Sequence, residues 1–489
     1  MYDVAIIGAG VIGCAIAREL SRYNLSIAVI EKTEDVSTGS TKANSGIIHG
    51  GYDADHKKKK GYFSRKGNQR FDQLEKELNF GFSRCGSLVL AFSEEELEKL
   101  EEIKSNGEKN GVNDLSIIDA DKIQSIEPNV SKDALYALYC PSAGIASPFE
   151  FCIALIENAI HNGAELFLNN EVKSVQKEND SFSVITNKKR FEAKYVINCA
   201  GVYSDKVSQM AGIGGFQINP RKGEYLVFEK GTGTMINKVI FQCPTKKGKG
   251  ILVTSTYHDN LMIGPDAQDI MDKEDTTTSI EALEHIIDEA RKSVPDFDTK
   301  KIIRSFSGIR ASSSLKDFIV EETTLKGFVN VAGIESPGLT SSPEIAVYVS
   351  DILKRSGLEM FPKENFDPYR KAIIKKKPKD AMIPMKEAMP LINLPIGDPD
   401  RMVCRCEQVS EKTIRDSLDR GIKVDSLDGV KRRTRAGMGV CQGQFCSSRV
   451  RELIADHYHI SEDSVIERGP GSSSLPERVG NMVFRRPKK

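Results

Sequence analysis

The stretch YDVAIIGAGVIGCAIARELSRYNLSIAVIEK, residues 2–32, admits few folds. Val4–Ile7 is a short apolar run, Gly8, Gly10 and Gly13 follow as GxGxxG, and Ala15–Leu20 continues with helix formers. A second apolar run, Ile27–Ile30, ends at Glu31, 23 residues beyond Gly8. Strand, glycine turn, helix and strand in that order form a βαβ unit, and the acid completes a dinucleotide-binding pattern. Gly8 permits the tight turn, Gly10 lets the backbone approach a pyrophosphate, and Gly13 allows the helix to lie close to the strand. The first helical amides, with Val11 and Ile12 among them, are left to face phosphates. Glu31 accepts hydrogen bonds from ribose hydroxyls, and Lys32 stands beside it. The pattern does not separate FAD from NAD.

A second constraint lies near the other end. Cys404 and Cys406 stand one residue apart in VCRCEQVSEKT, and Cys441 and Cys446 bracket four residues in GVCQGQFC. The other six cysteines, Cys14, Cys85, Cys140, Cys152, Cys199 and Cys243, are scattered singly and read as small buried hydrophobes. The opening MYDVAIIGAG has no basic n-region and no small-residue cleavage site, so a cytoplasmic, reducing location is expected. Clustered cysteines there point to metal or redox chemistry. Zinc ribbons usually place about two to four residues between paired ligands, which the single residue between Cys404 and Cys406 does not match. Four thiolates suit either zinc or a [2Fe–2S] cluster.

An apolar fraction of 39% and a charged fraction of 28% fit a soluble chain of two or three domains. Lys and Arg number 69 against 69 Asp and Glu, which argues against nucleic acid as a partner. No apolar stretch approaches the ~20 residues of a membrane helix, so any membrane association would be peripheral, through a partner. Lys57–Lys60, Lys375–Lys377 and Arg485–Lys489 read as solvated charge runs.

Four further motifs bear on the cofactor: STGSTKANSGIIHGG (37–51), AKYVINCAGVYSD (193–205), SFSGIRASSSLKDFIVE (305–321) and GFVNVAGIESPGLTSSPEIAVYVSDIL (327–353). Together with the N-terminal unit they resemble the FAD-dependent D-amino-acid-oxidase superfamily, in its order. The form SGIIHGG resembles glycerol-3-phosphate and L-2-hydroxyglutarate dehydrogenases. The resemblance implies FAD, with Thr41, Ser45, Gly46, Val172, Ala200, Gly201, Gly308, Arg310, Gly338, Leu339 and Thr340 joining the N-terminal residues around it. It implies an α/β chain (α+β overall) with a Rossmann-like FAD domain from residues 1–80, 145–215 and 300–370. A substrate or cap domain, 81–144 and 216–299, would carry a mainly antiparallel sheet. Segments 85–92, 223–230, 249–256 and 260–266 supply strand-like runs bounded by turn residues.

The surroundings of the four cysteines, VCRCEQVSEKTIRDSLDRG and DGVKRRTRAGMGVCQGQFC, resemble the bacterioferritin-associated-ferredoxin-like [2Fe–2S] domain over residues 401–455. The large subunit of anaerobic glycerol-3-phosphate dehydrogenases carries such a domain after its FAD part. The resemblance implies a small helical domain with a cluster on Cys404, Cys406, Cys441 and Cys446. Gly437, Gly439 and Gly443 would let amides approach it, and Lys431, Arg432, Arg433 and Arg435 either dock an acidic redox partner or form a solvated basic face. Residues 371–400, rich in Lys and Pro, read as an extended linker, and 456–489 as a tail.

A two-electron flavin paired with a one-electron cluster implies a dehydrogenase feeding another redox centre, through a redox partner protein or a quinone-linked acceptor. Oxidising a hydroxyl carbon needs a base for the hydroxyl proton, and His49 is the candidate for that role or for polarising the substrate oxygen. A small anionic substrate needs a cationic clamp; the resemblance puts Arg310 at the substrate pocket and makes it the first choice, with Arg221 and Lys222 weaker ones. The leading expectation is oxidation of sn-glycerol 3-phosphate to dihydroxyacetone phosphate. Its rivals are an L-2-hydroxyglutarate dehydrogenase and a non-catalytic electron-transfer subunit.

Overall fold

The computed structural model describes residues 1–244, 250–469 and 472, in two compact units, Met1–Ala381 and Met382–Lys489. The tail beyond 472 and the Thr245–Lys249 stretch, which includes the first residue of segment 249–256, lie outside the described residues.

In the first unit the apolar runs at the N-terminus become adjacent parallel strands. Tyr2–Ile7 lies between Ile27–Ile30 and Arg190–Asn198, with Glu165–Phe167 outside the former and Phe328–Ala332 outside the latter. Val4–Ile7 and Ile27–Ile30 are buried along their whole length, as strands covered on both faces must be. Ile319–Glu322 closes one edge antiparallel, and a hairpin of Val172–Glu178 and Ser181–Thr186 pairs with the first half of Arg190–Asn198. The helix Val11–Leu20 packs against Pro148–His161 and Gly338–Arg355. Ala5, Ile7, Ala28, Ile30, Val196 and Phe328 belong to one core cluster.

The second sheet of this unit has nine strands, antiparallel except where Val239–Gln242 runs parallel to Ser87–Ala91. Alternation sorts its two faces. Leu88 and Leu90 point to a core shared with Ile286 and Ala290 of the helix Ile280–Ser293, whereas Val89 and Ala91 point to Tyr52 and Leu100. The segments 85–92, 223–230 and 260–266 contribute Ser87–Ala91, part of Ile218–Lys230 and Asn260–Gly264. Segment 249–256 contributes Leu252–Ser255.

Segment 300–370, expected wholly in the FAD domain, divides. Ile302–Ser313 pairs with Ile218–Lys230 along nearly its whole length and so belongs to the nine-stranded sheet; the chain re-enters the parallel sheet at Ile319. Its partner strand lies about 90 residues upstream, and long-range pairing carries no local signal.

The second unit begins inside the segment read as linker. Met385–Ile392 is a helix, and its Ala388 and Ile392 bury against Met402. The segment is therefore not uniformly extended, because those two apolar positions sit four apart on one helical face. A short hairpin, Met402–Cys404 with Val409–Ser410, leads into helices Glu411–Leu418, Leu427–Thr434 and Ser447–Tyr458. Ser410 and Ser426 cap the first two of these, and Ile414, Leu418, Val430, Leu453 and Ile454 form their core.

Candidate functional site

The glycine turn shows the division of labour its spacing implies. Gly8 has φ +105°, and a Cβ there would stand 2.5 Å from the Cys199 carbonyl oxygen. A Cβ on Gly13 would stand 2.0 Å from the Gly8 oxygen, so both positions are closed by the protein's own backbone. Gly10 differs: its Cβ would meet only Thr41 Oγ1, at 3.3 Å, and otherwise open space. Gly10 caps the helix whose first residues are Val11, Ile12 and Gly13, and Val11 N–H donates to Thr41 Oγ1 at 3.0 Å. The loop thus presents open space and helix-terminal amides together, which fits a pyrophosphate.

Glu31 ends the second strand with its carboxylate already engaged. Oε2 accepts from the Ala9 amide at 2.8 Å, and Oε1 accepts from the Thr33 amide and hydroxyl at 3.0 and 2.9 Å. A carboxylate offers about four acceptor positions, so one remains on Oε2 for a ribose hydroxyl. Cys199 N–H donates to the Ile7 carbonyl at 2.9 Å, bringing Ala200 and Gly201 beside the glycine turn. Nothing stands within 4 Å of a Cβ built on Gly201. These residues form one cradle, and the open positions at Gly10 and Gly201 fit a dinucleotide.

Other expected cofactor residues are placed differently. Lys32 lies over the Tyr203 ring at 4.1 Å and pairs with Glu274 at 3.3 Å. Gly46 packs on the strand Gly144–Ala146, where a Cβ would come within 2.3 Å of the Ala146 oxygen. Gly308 lets its strand lie on the loop before His49, since a Cβ there would stand 1.9 Å from the Ala43 oxygen. Thr340 is fully buried; its hydroxyl accepts the His49 amide at 2.9 Å and donates to the Ile47 carbonyl at 3.3 Å. Gly338 and Leu339 open that helix, Val172 opens its strand in a buried position, and Ser45 is half-buried.

His49 is half-buried with its ring 5.6 Å from that of Phe241, on the nine-stranded sheet. Arg310 faces Arg221 across the strand pair, and Gly308 faces Gly223. The Arg310 guanidinium donates to the Asp266 carbonyl at 3.0 Å and the Lys222 carbonyl at 3.5 Å, in space left by Gly223. The same face carries Tyr225, whose ring stacks on Phe306 at 4.6 Å. Burial pushes the Tyr225 phenol up, and Arg310 opposes the rise. Sequence alone does not single out Tyr225, since only the strand register places it near Arg310.

Lys222 alternates to the opposite face, where it is buried and bonded to Asp275 at 3.0 Å, so it is a poor phosphate ligand. Of the run Lys57–Lys60, expected to be solvated, Lys60 is engaged instead. It pairs with Glu335, a carboxyl that Ser312 also contacts and that is held below its ordinary range, against burial, chiefly by Lys60.

In the second unit Cys404 and Cys446 are buried, and Cys406 and Cys441 half-buried. Hydrogen bonding from Cys446, with help from the Gly437 and Glu407 amides, holds the Cys404 thiol down to about 6 against burial. Burial raises Cys406 to about 11; its Cys441 neighbour adds to this, while a backbone amide there opposes it. The thiols therefore form two adjacent pairs, Cys404 with Cys446 and Cys406 with Cys441. Among the described residues no three His, Cys, Asp or Glu side chains gather as one metal ion would require. Two neighbouring pairs fit a two-iron cluster, which takes two thiolates on each iron. Gly439 is forced by contact, since a Cβ would come within 2.3 Å of Cys406 Cβ.

The basic run between the cysteines is mostly internal. Arg432 pairs with Asp428, Arg433 donates to the Gly429 carbonyl at 3.1 Å, and Arg435 pairs with Glu407 at 2.9 Å. All three are buried, so the docking role expected of them is not open to them.

A dinucleotide cradle facing a second sheet, joined in one chain to a four-thiol domain, defines a flavin and iron–sulfur oxidoreductase. The FAD dependent oxidoreductase family matches residues 3–352, and the BFD-like [2Fe-2S] binding domain matches residues 402–456. The chain belongs to the FAD dependent oxidoreductase family, and its cofactors are FAD and a [2Fe–2S] cluster. A glycerol 3-phosphate dehydrogenase of Caloramator mitchellensis is 47% identical, over 97% of this chain and 100% of that protein. The structure of dithionite-reduced L-alpha-glycerophosphate oxidase from Mycoplasma pneumoniae with FAD bound is similar with a TM-score of 0.72 and 30% identity. It covers 76% of this chain and 98% of that one. Human mitochondrial L-2-hydroxyglutarate dehydrogenase is 29% identical over 54% of this chain and 61% of that protein. Among the described residues no helix is long and apolar enough to cross a membrane.

Proposed function

We propose that the chain oxidises sn-glycerol 3-phosphate to dihydroxyacetone phosphate and passes the electrons through the cluster to a partner protein or quinone-linked acceptor. What carries this reading is continuity: one relative named for that dehydrogenase aligns through both the cradle and the four-cysteine domain. The hydroxyglutarate enzymes align over a shorter part. Bound FAD supplies a hydride acceptor, and the cluster a one-electron outlet. On this reading Arg310 holds the substrate's anionic end, since two carbonyl contacts and a bond to the Tyr225 phenol still leave donors among its five N–H groups. His49 takes the hydroxyl proton, its loop fixed by the bond to Thr340.

The deciding experiment is anaerobic bleaching of the flavin by glycerol 3-phosphate, by L-2-hydroxyglutarate, or by neither. Rapid bleaching by the phosphate alone is expected. Bleaching by the hydroxy acid alone would move the chain to that branch, and bleaching by neither would make it an electron-transfer subunit.

Arg310→Lys should keep the charge and lose the fork. A charge-assisted hydrogen bond is worth about 1.5–3 kcal/mol, so kcat/KM for glycerol 3-phosphate should fall at least about tenfold. Glycerol, which lacks the anion, should be much less affected in the same steady-state assay. Equal losses for both would instead assign Arg310 to holding the Lys222 and Asp266 backbone in place.

A further inference from the structure

Arg449 is poorly placed by every ordinary rule. It is the third residue of the helix Ser447–Tyr458, whose N-cap is Cys446. A cation in the first turn opposes the helix dipole, and no acid stands there to offset it. Two further arginines, Arg401 and Arg405, act on it as like charges. Arg401 is occupied by Glu411 at 3.1 Å, while the Arg405 guanidinium lies 5.6 Å over the exposed Phe445 ring. The Arg449 side chain also buries Nη1, and that nitrogen has no hydrogen-bond partner among the described residues. Buried donors are nearly always satisfied, so an orphan calls for an absent acceptor. Glu452, three residues along the helix, forms no ion pair with it among the described residues.

Dipole, like charges and orphaned donor are each unfavourable alone, and one negative group beside Cys446 would reverse all three. A [2Fe–2S] cluster on four thiolates is such a group: it is anionic in both oxidation states and gains one more negative charge on reduction. We infer that Arg449 is a positioning residue for the cluster, its guanidinium compensating the cluster's charge and favouring the reduced state. The inference rests on the cluster assignment and is independent of which substrate reduces the flavin.

The test is a spectroelectrochemical titration of the full-length, anaerobically purified holoenzyme, with the flavin couple as internal reference. In Arg449→Gln the cluster should become harder to reduce by at least tenfold in its equilibrium, about 59 mV for a one-electron couple. The flavin potential should stay unchanged, and Arg449→Lys should recover most of the shift. If the Gln variant instead loses its iron, retention by the Lys variant supports the same role, because charge is what the two variants differ in. A Gln variant whose cluster titrates at the wild-type potential would overturn the inference. Loss of iron from both variants would overturn it too, by assigning Arg449 to the fold of the domain.

Discussion

Gly10→Leu is expected to fold and to bind almost no FAD. Gly10 has φ −74° and ψ 177°, an extended conformation open to any residue. A Cβ there presses only on the Thr41 hydroxyl, at 3.3 Å, a contact that a shift of a few tenths of an ångström relieves. What a larger side chain does occupy is the space in front of the helix-terminal amides. Flavin content should therefore fall below about a tenth of wild type, because a pyrophosphate approaches through that space. The unfolding midpoint of the apoprotein should stay close to that of the wild-type apoprotein. Gly8→Ala and Gly13→Ala should behave oppositely. Each places a Cβ within 2.5 Å of a backbone oxygen, and at Gly8 the positive φ adds strain. Those variants should lose folded protein before flavin affinity can be measured. Flavin absorbance per mole of folded protein, with thermal unfolding of the apoproteins, separates the two outcomes. A Gly10→Leu protein that keeps its flavin would show that the open space is not the pyrophosphate's.

The contrast among three glycines marks what a sequence can show. The strand, turn and helix are contiguous in the chain, so the roles of the three glycines follow from their spacing, even though the helix packs on Pro148–His161 and Gly338–Arg355 and Gly8 is closed by Cys199. The four cysteines are similar, since thiols clustered at such spacing point to a metal or redox centre without any long-range information. Where the partner is distant, residue patterns mislead. Ile302–Ser313 is a strand, and the sheet it joins is settled by its register with Ile218–Lys230. Arg432, Arg433 and Arg435 look like a solvated basic face because charge runs usually are. Asp428, one turn back on the helix, and Glu407, in the turn of the hairpin, draw Arg432 and Arg435 inward. Lys60 departs from its expected solvated place for the same reason, its partner Glu335 lying far along the chain. In these cases composition describes the residue correctly and its surroundings wrongly.

Cys441→Ser should separate the two halves of the electron path. Cys441 is half-buried and paired with Cys406, while Cys404 and Cys446 form the inner pair. Replacing its thiolate with a hydroxyl removes a soft ligand from one iron and leaves the core of the domain untouched, since Cys441 is not among the buried residues of that core. Iron and acid-labile sulfide, about two of each per wild-type chain for a [2Fe–2S] cluster, should both drop severely. FAD should remain at wild-type content, because every residue of the cradle lies in the first unit. Glycerol 3-phosphate should still bleach the flavin at close to the wild-type rate. Reoxidation by an acceptor that draws on the cluster should nearly stop, and electrons should accumulate on the flavin. The measurement is a pair of stopped-flow traces, one of substrate reduction and one of reoxidation, on the same anaerobic sample. If bleaching fails while FAD stays bound, the cluster is not simply downstream of the flavin. If reoxidation is as fast as in wild type despite lost iron, electrons leave from the flavin directly, as in an oxidase. Only loss confined to the second trace is consistent with two centres in series, which is the arrangement that would explain why one chain carries both.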